Sequence, residues 1–178
     1  MRYLSAIVVV LVFSIIACNN PAKGRNGVTY KSAVQYNDYI VSRQTKLMQN
    51  VLDFVKVTET NLDSAEKMLV NYTGETATTI EDIKGMPAFK GDTSLRDAAV
   101  RIFSFYKNVF QNDYSRIINI RKKGDEMTTE DIDEMEKIVD KITREEEGFD
   151  KSFHNAQKSF ADKNHMKLSE NEMQKKFN

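Results

Sequence analysis

From Tyr30 onward the chain carries a single proline, Pro87, and few glycines, while apolar residues return every three or four positions. No other feature restricts the fold as strongly. A period near 3.6 with few breakers marks amphipathic helix, and no strand-like alternation punctuated by turns appears in the same stretch. The spacing predicts four helical segments. The first covers about 31–57, striped by Ala33, Tyr36, Ile40, Leu47, Val51 and Phe54. The second covers about 62–84, striped by Leu62, Ala65, Leu69, Tyr72, Ile80 and Ile83. Within it, the run from Thr73 to Thr79 sets one glycine among four threonines, which lowers helix propensity and marks a candidate kink.

Residues 85–94, punctuated by Gly85, Pro87 and Gly91, read as the clearest loop. Ser94 with Asp97 three residues later then looks like a helix start. The third helix covers about 95–123, with Leu95, Ala98, Ala99, Ile102, Phe103, Tyr106, Val109, Phe110, Ile117 and Ile120 on its stripe. It closes on Arg121-Lys122-Lys123-Gly124, cations at the negative end of the helix dipole followed by a glycine stop. Thr128, with Asp131 after it, caps a fourth helix whose seam is Ile132, Met135, Val139, Ile142, Phe149, Phe153, Ala156 and Phe160. Short loops between long helices favour antiparallel neighbours. The expected fold class is therefore all-α, an antiparallel four-helix bundle running up, down, up and down. One long broken helix in place of the first two would give a three-helix arrangement instead.

The start of the chain has a different character. Arg2 precedes an apolar run at 4–17 that closes with Ile15-Ile16-Ala17-Cys18. That tetrad resembles the lipobox of bacterial lipoprotein signal peptides. The run is shorter than the roughly 20 apolar residues a spanning helix needs, and the polar stretch Asn19-Asn20-Pro21 follows it without a cluster of positive charge. An uncleaved N-terminal membrane helix is the alternative. The resemblance implies cleavage before Cys18 and lipidation of its sulfur with a diacylglyceryl group, often joined by a third chain on the new amino terminus. One acyl chain holds only marginally at about 0.8 kcal/mol per buried methylene, whereas two or three hold stably. The expected organisation is a signal peptide at 1–17, a lipidated flexible spacer at 18–29, a helical domain at 30–163 and a polar C-terminal tail at 164–178. The resemblance thus places the protein in the cell envelope, with the membrane as partner through Cys18. Asn19 in place of an aspartate points to the outer membrane in bacteria that retain lipoproteins by that residue.

Cys18 is the sole cysteine. Once it is alkylated, no disulfide, cysteine metal site or thiol nucleophile is available, and the core alone must hold the fold. Lys and Arg together number 26, as do Asp and Glu, so no global field draws nucleic acid or an anionic membrane.

The residues that could carry chemistry do not assemble into a site by spacing. The two histidines, His154 and His165, lack the Glu-x-x-His pattern of di-iron bundles, having Lys151 and Asp162 three residues before them. No Gly-x-Ser-x-Gly, His-Glu-x-x-His or phosphate-binding glycine loop is present. The reading is a non-enzymatic chain with no catalytic residue, metal or cofactor. Glu145-Glu146-Glu147 interrupts the fourth seam, and a carboxylate turned inward there needs a partner, which Arg43, Arg101 or Arg116 could supply. Asp63-Ser64-Ala65 also resembles an O-glycosylation acceptor, and Asp-Ser there reads equally as a helix cap.

Several phrases are similar to a class of small, uncharacterised bacterial surface lipoproteins. They are Tyr36-Asn37-Asp38-Tyr39-Ile40-Val41 with Gln44, Phe89-Lys90-Gly91-Asp92, Ala98-Ala99 with Phe103 to Lys107, and Phe153 with Ala156-Gln157 and Phe160-Ala161. The resemblance implies a helical lipoprotein domain and transfers no catalytic residue. Aromatics exceed what one seam absorbs, since Phe103 and Phe105 cannot share a helix face. They pack as core or line a groove. The expected contact residues are Lys90, Gly91 and Asp92 on the loop, joined by Tyr36, Tyr39, Phe105 and Tyr106. The expected role is binding or envelope structure, with a possible envelope protein partner. The alternative is a carrier of a small apolar ligand or cofactor between the helices.

Overall fold

A computed structural model describes residues 22–168. The leader at 1–17, Cys18 and the last part of the expected tail lie outside the described residues. Two short strands, β1 (Ala22–Lys23) and β2 (Thr29–Tyr30), pair antiparallel. After them come α1 (Ala33–Thr58), α2 (Leu62–Lys84) and α3 (Ser94–Asn108). A π-helical turn (Val109–Tyr114) joins α3 to α4 (Ser115–Arg121). A 3-10 turn (Gly124–Glu126) then leads to α5 (Thr129–Lys163). Taking α3, the π turn and α4 as one rod, the chain is an all-α four-helix bundle.

Contacts between helix ends show the antiparallel order. Tyr36 at the start of α1 stacks on Phe160 near the end of α5, with ring centroids 5.4 Å apart. At the far end, Phe54 late in α1 stacks on Tyr114 at 4.7 Å. There, too, Lys122 beyond α4 pairs with Asp63 and Glu66 at the start of α2, both at 2.7 Å.

Local chemistry sets the helix limits. The Ser32 side chain accepts from the Gln35 amide at 3.1 Å, and the Gln35 side chain accepts from the Lys31 amide at 2.9 Å. These bonds satisfy donors that a helix start leaves open. Asn61 caps α2 by accepting from Ser64 at 2.8 Å, so α1 and α2 are separate helices and the three-helix alternative fails. The threonine run does not end α2, because Thr78 and Thr79 return their hydroxyls to the carbonyls four residues back, at 3.0 and 2.9 Å. Thr128 and Asp131 form the reciprocal capping box expected of them.

α3 is the central rod. It packs on α2 and α5 and also touches α1. Leu95, Ala98, Ala99, Ile102, Phe103, Phe105 and Tyr106 are accordingly buried. Neighbours on several sides resolve the aromatic surplus: Phe103 and Phe105 point different ways and both are covered.

Three expectations need correction. The third helix is not one α-helix, because the backbone widens into the π turn at Val109–Tyr114. The fourth seam is not buried along its length. Ile132 is 43% exposed and Val139 49%, because ion pairs tie this half of α5 to its neighbours. Lys123–Asp131 at 2.6 Å, Arg116–Glu134 at 2.7 Å and Lys141–Asp113 at 3.0 Å make that connection. Finally, Glu146 takes no arginine partner. It accepts from the Tyr106 hydroxyl, and burial with this carboxylate alongside holds the phenol well above its ordinary range.

Candidate functional site

The end of the bundle where α1 begins and α2 ends also gathers the hairpin, the loop 85–93, the start of α3 and the end of α5. Several of the expected contact residues meet here, and the described chain starts here.

The hairpin comes first. Gly24-Arg25-Asn26-Gly27 forms its turn, with Gly27 at φ +79°. The Gly24 amide donates to the Val28 carbonyl at 2.8 Å, and the Arg25 amide to the Gly85 carbonyl at 2.7 Å. Asn26 fastens the turn to the bundle. Its Nδ2 donates to the Tyr30 hydroxyl at 2.7 Å, the Asp82 carbonyl at 3.0 Å and the Tyr39 hydroxyl at 3.4 Å. Its Oδ1 accepts from the Val28 amide at 3.1 Å. Close approach demands small residues on both sides: a Cβ at Gly24 would lie 2.8 Å from the Gly85 carbonyl oxygen, and one at Gly85 would lie 2.9 Å from the Asn26 nitrogen. Tyr30 is buried edge-on to Tyr36 and Tyr39, which pushes its hydroxyl up to about 12. Residues 22–29 are therefore docked structure, not the flexible spacer expected over 18–29. Of that spacer, only 18–21 fall outside the described residues.

The loop makes the second part. Phe89 and Asp92 exchange both backbone hydrogen bonds, at 2.9 and 3.0 Å, around the two-residue turn Lys90-Gly91. Both turn residues have positive φ, +51° and +82°, the geometry of a tight primed turn. Glycine takes this readily, whereas Lys90 pays about 1 kcal/mol in the left-handed region. The turn holds Lys90 outward while Phe89 turns into the core against Tyr36 and Phe160.

Beside the turn lies an open basin of about 770 Å³, lined among others by Lys90, Asp92, Asp97, Arg101 and Lys163. Its walls come from the loop, the first turns of α3 and the last turns of α5. Asp92 is its anchor. It accepts from Lys163 at 2.7 Å and from the Ser94 amide at 2.8 Å, which ties the loop to both helices. The Lys163 ammonium, then the Ser94 amide, hold the Asp92 carboxyl down at about 2. Ser94 does not cap α3 itself: Asp92 satisfies its amide, while Asp97 accepts from the Thr93 hydroxyl at 2.7 Å.

The Asp92 interaction makes a pH prediction. Its carboxyl pKa is lower folded than unfolded, so its contribution is complete above about pH 4 and fades as pH falls toward 2. Asp92→Ala is expected to cost about 1–2 kcal/mol at neutral pH, chiefly through the lost cap. The deficit should shrink in acid, measured by urea unfolding at a series of pH values. A deficit unchanged down to pH 2 would count against the ion pair.

The expected contact residues divide. Lys90, Gly91 and Asp92 stand at the basin. Tyr39 is half-buried beside the hairpin, with the Arg43 guanidinium 3.3 Å over its ring. Tyr36 is buried and donates to the Pro87 carbonyl at 2.9 Å. Phe105 and Tyr106 are buried halfway along the bundle, Phe105 stacked on Phe149. These last three are core and present no surface to a partner. Asn26 and Lys163 belong to this end and carried no expectation, and Arg101, expected only as a candidate partner for a carboxylate of α5, lines the basin instead. The Asn26-Gly27 pair is a hairpin signal legible in sequence, whereas no local pattern places Arg101 and Lys163 beside the loop. Among the described residues, no three His, Cys, Asp or Glu side chains gather to hold a metal, and no helix is long and apolar enough to cross a membrane.

Comparison with protein-family models, curated proteins and solved structures finds no match for this chain.

Proposed function

We propose that this is a lipid-anchored protein of the bacterial cell envelope, held at the outer membrane through Cys18, with a binding or structural role and no enzymatic activity. The carrying observation is the tetrad Ile15-Ile16-Ala17-Cys18, which closes an apolar run with the sole cysteine of the chain. The fold supports this reading by its position. The hairpin strand Ala22–Lys23, four positions beyond Cys18, is docked at one end of the bundle, so the anchoring residue lies close in sequence to folded structure. The Lys90-Gly91-Asp92 turn and its basin are the contact surface of this proposal: a tight turn holds a cation outward, and Asp92 fixes it to two helices, by the ion pair with Lys163 and the hydrogen bond from the Ser94 amide.

Intact mass of the natively expressed chain tests the anchor. The expected species begins at Cys18 and carries two or three acyl chains. Cys18→Ser is expected to lose them and to leave the membrane fraction. A native chain that begins at Met1 with an unmodified thiol would overturn the reading.

A further inference from the structure

We propose that the hairpin end of the bundle docks directly onto anionic phospholipid headgroups, so that the domain stands on the membrane by a fixed face. This inference rests on the lipid anchor proposed above and names what its contact surface meets.

The first argument is reach. With residues 22–29 folded onto the bundle, only the step from Cys18 to Ala22 separates the lipid from rigid structure. At roughly 3.6 Å per residue, that step spans at most about 14 Å. The hairpin is fixed at its turn, by Arg25 to Gly85 and by Asn26 to Asp82, and at its base by the buried Tyr30 ring against Tyr36 and Tyr39. An anchored bundle therefore cannot turn its far end to the bilayer without unseating the hairpin.

The second argument is charge. Lys23, Arg25, Lys31 and Lys90 are exposed at this end. None of the four forms an ion pair among the described residues. The carboxylates around them are mostly engaged: Glu81 by Lys84, Asp82 by Arg43, Asp92 by Lys163 and Asp97 by Arg96. Asp38 and Asp162 are left without an ion pair there and are outnumbered. The far end has the opposite sign. Glu59, Asp125, Glu126, Glu130 and Asp133 are exposed there and form no described ion pair, against Lys56, Lys67 and Arg121. A chain neutral overall is thus polarised along its axis. An anionic surface attracts the hairpin end and repels the far one. Each cation near such a surface strengthens binding about fivefold, within a Debye length of about 8–10 Å.

The test uses the lipidated full chain, whose Cys18 sulfur is blocked by acylation. Single cysteines are introduced by Ala88→Cys at the hairpin end or Asp125→Cys at the far end, both at exposed positions. Each is labelled with a fluorophore. The proteins are reconstituted in phosphatidylcholine vesicles with or without phosphatidylglycerol, with a nitroxide quencher on the headgroups. Quenching at position 88 is expected to exceed that at 125 several-fold when phosphatidylglycerol is present. The difference should shrink in high salt and in the combined variant Lys23→Gln, Arg25→Gln, Lys31→Gln and Lys90→Gln. Equal quenching at both positions, or asymmetry indifferent to lipid charge, overturns the docked face while an acylated mass leaves the anchor standing. Should the mass show no acyl chain, the anchor fails by itself. The docked face is then read from Cys18→Ser bearing the same labels at saturating phosphatidylglycerol vesicles, where equal quenching again overturns it.

Discussion

Phe160→Ala is expected to lower the unfolding free energy by about 3–5 kcal/mol, the range for deleting a fully buried aromatic ring. Phe160 closes one end of the bundle. Its ring stacks on Tyr36 from α1 at 5.4 Å and meets Phe89 from the loop edge-on at 5.4 Å. One side chain of α5 thus joins the first helix and the loop between α2 and α3. Truncation leaves a cavity against two buried aromatic neighbours, Tyr36 and Phe89, and such walls collapse poorly. A second consequence is local. The basin draws Ala156 and Lys163 from the same stretch of α5. Loosening that stretch should break the Lys163–Asp92 pair, so the Asp92-dependent acid sensitivity should fade in the Phe160→Ala protein. Urea unfolding at neutral and acid pH measures both effects. Phe160→Leu, which keeps much of the volume, should recover a good part of the loss. A cost under about 1 kcal/mol for the alanine variant would mean that these rings do not hold the end together.

Helix period and capping chemistry made most of the fold legible. The Thr128–Asp131 box and the antiparallel order were written in local pattern, because they depend on residues close together in the chain. What period alone hides is how many neighbours a rod has. Phe103 and Phe105 looked like a surplus because a stripe was read as one face, whereas α3 is covered on several. The reverse error occurred on α5. Ile132 and Val139 keep perfect seam spacing, yet the ion pairs to Asp113, Arg116 and Lys123 hold this half of the helix beside the π turn and α4 with part of the stripe left in solvent. Spacing places a residue on a helix face; only packing decides whether that face has a neighbour.

The candidate site divides along the same line. Lys90-Gly91-Asp92 was legible because a loop rich in breakers is punctuation in any sequence. Tyr36 and Tyr106 are core and not contacts because an amphipathic tyrosine buries its ring wherever its hydroxyl finds an acceptor, and Phe105 is core because Phe149 of α5 covers its ring. Tyr36 has the Pro87 carbonyl and Tyr106 has Glu146. The hairpin was overlooked for a compositional reason. A short stretch of glycine, asparagine and lysine looks like a linker, yet its apolar residues, Val28 and Tyr30, sit beside an Asn-Gly turn and both pack on the core.

That hairpin carries the prediction with the greatest consequence for the membrane proposal. Asn26→Ala removes the bonds to Tyr30, Asp82, Tyr39 and the Val28 amide together. At about 1 kcal/mol each for the well-aligned ones, hairpin closure should weaken by about 2–3 kcal/mol. The effect is local, because most of the core lies in α1 to α5 and Tyr30 is the one fully buried side chain of the hairpin. Exchange of the Arg25 amide, which donates to Gly85, should accelerate by about 30- to 150-fold, while amides in the middle of α3 keep their protection. Opening also lengthens the tether. The step from the anchoring sulfur would then run to Lys31 and reach roughly 45 Å at about 3.6 Å per residue, enough for the bundle to tumble above the surface. Labels at 88 and 125 should then be quenched nearly equally, although every cation is still present. If the Asn26→Ala protein keeps both its Arg25 protection and its quenching asymmetry, the asparagine is not the fastening and charge alone sets the orientation. If protection is lost and asymmetry survives, a short rigid tether is not needed to hold the domain upright, and the argument from reach fails. Only the joint loss ties the orientation of the domain to one side-chain amide.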